Sequence, residues 1–195
     1  MAELILIPCA GSKNPNDTHV IFPVGAPDII ANFAPNVQQD LINKRAALAP
    51  FANPVGGYSV AHFRYAGPHA WQYHFPQETW VVRAHPQVHV LIVSAYFGLL
   101  NPYSFIQDYD LIMTKSLIPM YDGAVMNFWS EDHFLHNLLV AYCNGENITD
   151  IHNLLPNNYQ AAVELNIDIL GVQIHNYAWQ DNHGHNRGNW LSEHL

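Results

Sequence analysis

Positive charge is scarce in this chain of 195 residues. Seven Lys and Arg side chains oppose sixteen Asp and Glu side chains, which gives a formal net charge of −9 with histidine neutral. Broad, sequence-independent binding to nucleic acid needs several cations that neutralise phosphates, so this balance counts against it. A local basic groove remains open, because the thirteen histidines can add charge at mildly acid pH.

Long apolar runs and paired cysteines are also missing. The chain contains no run of about 18 apolar residues, which excludes a transmembrane helix. Its first residues carry no basic segment ahead of an apolar one, so we expect no signal peptide. The two cysteines, Cys9 and Cys143, lie far apart and predict no disulfide framework. We therefore expect a cytoplasmic protein with no membrane partner; the sequence leaves its oligomeric state open.

The apolar segments that are present alternate between strand and helix patterns. Short β-branched runs indicate strands, and longer stretches have apolar residues at helical spacing. We predict strands at 4–7, 90–93, 148–155 and 169–174, helices at 37–51, within 117–143 and at 159–165, and a loop at 53–57. The pattern predicts an α/β fold in which helices flank a mainly parallel sheet. With 49% hydrophobic residues, we expect one domain spanning residues 1–195.

Polar and aromatic residues follow the strand predicted at 90–93. Ser94, Tyr96, Phe97 and Gly98 come directly after it, and the segment Asp108-Tyr109-Asp110 lies a few residues further on. Ligands of open α/β sheets bind outside the carboxyl ends of the strands. The arrangement therefore predicts a ligand site here, although each residue alone also fits a structural role in a turn, in the core or on a solvated loop.

The first predicted strand ends in a similar loop. Cys9, Ser12 and Lys13 stand among small residues, which favours an anion-binding loop in which backbone N–H groups converge. The spacing of a nucleotide-binding P-loop is absent. We expect the strands at 4–7 and 90–93 to be neighbours, which would bring Lys13 and Tyr96 to one edge of the sheet.

Residues 58–80 are crowded with aromatic and histidine side chains. Such a segment is typical of a surface on which nucleic-acid bases stack, and equally of a helix that packs an aromatic face into the core. Its histidines lack the His-x-x-x-His spacing of zinc enzymes, and no cysteine pair accompanies them. We expect neither a metal nor a cofactor.

Four segments together resemble the YaaA-like superfamily of small bacterial and phage proteins. They are a P-C-x-x-x-K-like loop, an S-A-x-y-G-L loop, a Y-D segment and an R-x-x-W-L ending, found here at 7–13, 93–100, 106–111 and 187–191. The chain departs from that pattern at Asp108, where proline is common, and at Phe97, where the usual residue is tyrosine-like. The resemblance covers about a quarter of the chain.

This resemblance implies a function on DNA, because the group includes small anti-phage DNA glycosylases of the Brig type. It implies excision of a flipped modified base, such as glucosylated hydroxymethylcytosine of phage DNA, to leave an abasic site in phage defence. Asp110 is the first candidate for the catalytic carboxylate, Asp108 the reserve, and Tyr96 a third catalytic candidate. The substrate-binding candidates are Cys9, Ser12, Lys13, Ser94, Phe97, Gly98, Tyr109 and Arg187, with Lys13 and Arg187 holding phosphate.

Two alternatives remain open at this point. One is an enzyme that transfers a nucleotide or base at the same sheet edge, and the other is a non-catalytic nucleic-acid or nucleotide-binding protein. If DNA is the substrate, four cations should gather on one face, namely Lys13, Arg64, Arg83 and Arg187. The sequence does not decide which base is recognised or whether the DNA is single- or double-stranded.

Overall fold

The computed structural model describes residues 2–10, 13, 29–65, 87–177 and 184–195. It has the predicted mixed α/β architecture, with a mostly parallel five-stranded sheet flanked by helices. The strands are β1 (Ala2–Pro8), β2 (Val55–Val60), β3 (Val88–Ser94), β4 (Gly98–Leu100), β5 (Phe105–Asp108), β6 (Ile148–Asn153) and β7 (Gln173–Asn176). The large sheet has the order β4-β3-β1-β6-β7, and only the edge strand β4 runs antiparallel to its neighbour.

Helices cover the faces of this sheet. They are α1 (Pro35–Ala52), α2 (Ala61–Arg64), α3 (Val125–Ser130), α4 (Phe134–Glu146), α5 (Asn157–Val163) and α6 (Gly184–His194), with short 3-10 helices at Ile29–Asn32 and Glu131–His133. Within the described residues, none of the helices is both long and apolar enough to span a bilayer.

The two central strands are buried on both faces. Adjacent residues of each strand, which point to opposite faces, are inaccessible to solvent, namely Leu6 and Ile7 of β1 and Leu91 and Ile92 of β3. Each strand is therefore a continuous apolar run and not an alternating one. The strands pair in parallel from Glu3 opposite Val88 to Pro8 opposite Val93. The predicted neighbourhood of the two strands is therefore confirmed, and their carboxyl ends lie at one edge of the sheet.

A second, two-stranded sheet stands beside that edge. β2 and β5 pair antiparallel, with Val55 opposite Asp108 and Val60 opposite Phe105. The prediction of a loop at 53–57 is wrong in its second half, because β2 already begins at Val55. The two glycines of β2, Gly56 and Gly57, are typical of a turn. The strand conformation of β2 comes instead from pairing with β5, which lies far along the chain.

Two further boundaries differ from prediction. No regular helix precedes Val125 in the region predicted helical from 117, and β7 begins at Gln173 and not at 169. The helical segment that follows Val125 is interrupted at Asp132 and His133, whose φ angles of 53° and 56° are left-handed. Residues 187–191 lie within a helix, α6.

Candidate functional site

Three buried hydroxyl groups form a closed hydrogen-bonded set at the edge where β3 ends. The Ser94 Oγ atom lies 2.9 Å from the Tyr109 hydroxyl, and the Tyr65 hydroxyl lies 2.9 Å from that of Tyr109. The Tyr65 hydroxyl also donates to Ser94 Oγ at 3.2 Å. We call these residues the hydroxyl triad; all three are buried.

Each member of the triad comes from a different part of the fold. Ser94 is the last residue of β3, Tyr109 directly follows β5, and Tyr65 directly follows α2. Sequence analysis singled out Ser94 and Tyr109 but missed Tyr65, whose only signal was its membership in an aromatic-rich segment. Burial raises the pKa of both tyrosines well above 10, so their hydroxyls remain protonated and neutral.

A second polar pair lies at the end of β1. Cys9 is buried, its backbone N–H donates to the Val93 carbonyl at 2.8 Å, and its Sγ atom lies 3.2 Å from the Tyr159 hydroxyl. Tyr159 projects from α5 and was not identified from the sequence. Burial raises its pKa well above 10, so it too remains a neutral phenol.

Arg187 anchors the last helix close to this pair. Its side chain is buried, and its Nε atom donates to the Leu154 carbonyl at 2.5 Å. Burial lowers the pKa of Arg187, and Tyr159 is near enough to oppose that shift. The guanidinium thus links α6 to the segment between β6 and α5. The binding of phosphate by Arg187 stays a prediction.

Lys13 lies over the hydroxyl triad. Its Nζ atom is 3.9 Å from the centroid of the Tyr109 ring, within cation–π range. The lysine is half-buried, and burial lowers its pKa from the usual 10.5. Cys9, Asp108 and Asp110 oppose that shift electrostatically, which places thiol, amine and both carboxylates at one edge of the sheet.

The two predicted carboxylates differ in exposure. Asp108 is half-buried at the end of β5, whereas Asp110 is exposed and its backbone N–H donates to the Ala52 carbonyl at 2.8 Å. The buried Tyr109 lies between them. Both carboxylates are near enough to Lys13 to oppose the lowering of its pKa.

The loop after β3 presents two aromatic rings to the same place. Tyr96 and Phe97 have ring centroids 4.4 Å apart, and these rings lie 5.4 Å and 5.5 Å from that of Tyr109. Burial raises the pKa of Tyr96, with a further contribution from nearby Tyr58 and an opposing one from Arg45. The Tyr96 hydroxyl is therefore a proton donor at neutral pH.

Two residues that sequence analysis did not identify hold this loop in place. Arg45 donates from Nε to the Phe97 carbonyl at 2.9 Å and from Nη2 to the Leu99 carbonyl at 3.2 Å. Trp129 donates from Nε1 to the Ala95 carbonyl at 2.9 Å. Gly98 has a φ of 74°, and a Cβ atom there would lie 3.1 Å from the Trp129 ring, so the shape of the loop depends on this glycine.

An exposed aromatic side chain lies at the rim. Tyr58 on β2 is 63% exposed and close enough to Tyr96 to affect its titration. It follows Gly56 and Gly57, where no atom of the described residues would contact an added Cβ within 4 Å.

Some predicted features are placed elsewhere or are not described. Ser12, Arg83 and the 66–86 part of the aromatic segment lie outside the described residues. Arg64 is buried and donates from Nη2 to the Gly57 carbonyl at 3.0 Å. Since Arg187 is buried as well, neither arginine belongs to an exposed cationic face. Within the described ranges, no group of three or more His, Cys, Asp or Glu side chains is placed to hold a metal ion.

The chain matches a known protein family. A family model described as the peroxide stress protein YaaA matches residues 33–186, which is more than half of the chain and includes the segment from β2 to β7. No curated protein matches the chain.

Proposed function

This chain belongs to the peroxide stress protein YaaA family, and from that membership and the geometry of the site we propose that it is a DNA glycosylase. In this proposal the protein excises a modified base and leaves an abasic site. The observation that carries the proposal is the placement of Lys13 above the Tyr109 ring, with Asp108 and Asp110 near enough to influence its titration. An amine, two acids and several phenols then share one sheet edge.

The carboxylates supply what cleavage of an N-glycosidic bond requires. As the base departs, positive charge develops on the sugar, and a fixed negative charge beside it lowers the barrier. Asp110 is exposed, so it remains our first candidate for stabilising the sugar cation or activating water. Asp108, half-buried at the end of β5, is the reserve.

The aromatic residues supply a place for an extruded base. Enzymes that act on a base inside a duplex flip it into a pocket, where it stacks on aromatic faces and forms hydrogen bonds with its edge. The exposed Tyr58 and the half-buried Phe97 offer such faces, and the buried Tyr96 packs against Phe97. The protonated Tyr96 hydroxyl can donate a hydrogen bond to the leaving base, and Lys13 can contact the adjacent phosphate.

Two kinds of modified DNA are proposed substrates. Peroxide oxidises bases, so an oxidised base is one substrate suggested by the description of the family. Glucosylated hydroxymethylcytosine in phage DNA is the other, suggested by the resemblance to anti-phage glycosylases, and it gives the protein a role in phage defence in the cytoplasm. Both require removal of an altered base without a cofactor.

The test is to measure abasic sites with an aldehyde-reactive probe. The protein is incubated with unmodified DNA, peroxide-treated DNA and phage DNA that carries glucosylated hydroxymethylcytosine. We expect aldehydes to form on at least one altered DNA, and to be strongly reduced with Asp110→Asn but not with Asp40→Asn, a control at an exposed acid on α1. No aldehyde above the protein-free background on any of the three DNAs would overturn the proposal.

A base-transferring enzyme acting on free nucleosides or nucleotides is the second candidate. Burial of Arg64 and Arg187, together with the net charge of −9, favours a small substrate over a long polyanion. Chromatography of reactions with free nucleosides distinguishes the candidates, because only the transfer enzyme exchanges or releases their bases. Binding of DNA without release of any base would instead indicate a non-catalytic binding protein.

A further inference from the structure

We propose that Lys13 is a nucleophile that forms an imine with the sugar of an abasic site, so that the protein also cleaves the DNA backbone there. The second substrate is an aldehydic deoxyribose in DNA. This inference rests on the proposed function for the origin of that sugar, but it can be tested with abasic DNA made independently.

The first support is the fixed position of the amine. Lys13 Nζ lies 3.9 Å from the centroid of the Tyr109 ring. That ring is held in turn, because its hydroxyl lies 2.9 Å from those of both Ser94 and Tyr65. The amine therefore lies against a hydrogen-bonded ring at the carboxyl ends of β1 and β3, and a defined geometry of this kind favours nucleophilic attack.

The second support is the proximity of proton acceptors. Asp108 and Asp110 flank Tyr109 in the chain, and both interact electrostatically with Lys13. An amine that attacks carbon must lose a proton after the bond forms, and a nearby carboxylate can take it. Burial also lowers the pKa of Lys13, which increases the neutral, nucleophilic fraction of the amine.

The chemistry balances without an oxidant, reductant or metal. The neutral Nζ atom attacks C1′ of the sugar, and the bond from C1′ to the base, or to the hydroxyl of a preformed abasic site, breaks with its electron pair leaving on the departing group. Nζ loses a proton to a carboxylate, and that departing group takes up a proton. The C1′–O4′ bond then opens to give the iminium ion, with O4′ protonated.

Backbone cleavage follows from this iminium ion. A base removes a proton from C2′, and the electron pair expels the 3′ phosphate, so that the C3′–O bond breaks by elimination. Water then hydrolyses the imine and regenerates the lysine. Asp108 or Asp110 can act as this base, since both are near enough to Lys13 to influence its pKa.

The chain offers a matched control, because it has only three lysines. Lys44 forms an ion pair of 3.2 Å with Glu131, away from this edge. Lys115 is exposed and therefore represents the reactivity of an ordinary surface amine with an abasic aldehyde. Substitution by arginine at either Lys13 or Lys115 keeps the positive charge but removes the amine that can form an imine.

The experiment uses the full chain and a synthetic duplex with a single abasic site, reduced with sodium borohydride. Reduction converts the imine into a stable amine bond, which is seen as a covalent protein–DNA band and mapped by peptide mass spectrometry. We expect the parent protein and Lys115→Arg to be trapped at Lys13, and Lys13→Arg to lose the band while keeping its circular dichroism spectrum.

Each outcome decides one proposal. If the parent protein is not trapped, if a folded Lys13→Arg variant is trapped as well as the parent, or if the adduct maps to another residue, the role of Lys13 as nucleophile is overturned. Release of base from altered DNA without trapping would leave the glycosylase proposal standing and refute this inference. Trapping on abasic DNA without release of any base would support Lys13 as the nucleophile and refute the glycosylase proposal.

Discussion

The hydroxyl oxygens of Ser94 and Tyr109 lie 2.9 Å apart and join the two sheets of the protein. Ser94 ends β3 of the large sheet, whereas Tyr109 follows β5 of the two-stranded sheet. Ser94 Oγ also accepts a hydrogen bond from the Phe97 backbone N–H at 3.1 Å. One buried hydroxyl thus fixes both the position of Tyr109, on which Lys13 rests, and the start of the loop that carries Tyr96.

Removing one hydroxyl from the triad should destabilise the protein. We expect Tyr109→Phe to cost about 1–3 kcal/mol, since buried partners lose a hydrogen bond, while Tyr65 and Ser94 still bond to each other at 3.2 Å. Urea unfolding measures the change. Tyr58→Phe is the control, because Tyr58 is exposed; equal loss in both variants would mean that the triad contributes no more than a surface hydroxyl.

Gly98 should tolerate no side chain. An added Cβ would lie 3.1 Å from the Trp129 ring and 3.2 Å from Leu135, at a φ of 74°. We expect Gly98→Ala to destabilise the protein by about 1–3 kcal/mol, combining strain and overpacking. Gly145→Ala on α4 is the matched control, because no atom in the described part of the chain lies within 4 Å of its Cβ position, and alanine favours a helix by about 0.5–1 kcal/mol over glycine. Thermal unfolding should show a lower midpoint for Gly98→Ala and a higher midpoint for Gly145→Ala than for the parent protein.

Substitution of Asp108 or Asp110 should reduce activity more than substitution of another acid does, without a greater loss of stability. If the protein is a glycosylase, Asp110→Asn should slow base release by about 10²-fold or more, because a charge that stabilises the transition state is lost. Little stability should be lost, since Asp110 is exposed. Single-turnover rates for Asp110→Asn, Asp108→Asn and Asp40→Asn assign the role. Parent rates in the first two, both folded, would exclude these carboxylates from catalysis.

Tyr58 should contribute to DNA affinity. An exposed ring on which a base stacks is worth about 1–3 kcal/mol of binding free energy, so Tyr58→Ala should weaken DNA binding by about fivefold or more. Its exposure of 63% predicts an unchanged unfolding transition. Fluorescence anisotropy with a labelled oligonucleotide measures the affinity. Undiminished binding in this variant would place the DNA on a different surface.

His152 should make the stability depend on pH. It stacks on His175 with ring centroids 5.0 Å apart, lies 3.4 Å from Glu3 and 2.7 Å from the Tyr177 hydroxyl, and packs against Trp190 of α6. Burial lowers the pKa of His152 below 6.5, and His175 and His194 add to that shift while Glu3 opposes it. The unfolded chain therefore binds more protons than the folded protein just below pH 6.5.

Stability should consequently fall as pH decreases from above 6.5 towards the folded-state pKa of His152, and then level off for this group. Asp150, whose pKa is lowered mainly by its hydrogen bond with His175, adds a second loss below 3.8. Urea midpoints across this range measure both effects. His152→Asn should flatten the first slope; an unchanged slope would assign it to other histidines.

The sequence by itself determined the central part of this fold. The apolar runs of β1 and β3 could be recognised because a strand buried on both faces needs a continuous hydrophobic segment, which is a local property. Ser94, Tyr96 and Tyr109 were found because they follow such strands, and Lys13 because it stands at the end of the first one. Local pattern was thus enough to find the sheet edge and half of its polar residues.

Only the tertiary structure decided what surrounds those residues. Tyr65, Tyr159, Arg45 and Trp129 reach the site from elements far apart in the chain, and no local pattern marks a side chain that will meet a distant partner. β2 likewise depends on pairing with β5. The physical reason is that a buried hydroxyl or guanidinium must find its hydrogen-bond partner within the folded protein, and chain topology, not neighbouring sequence, decides which partner lies within reach.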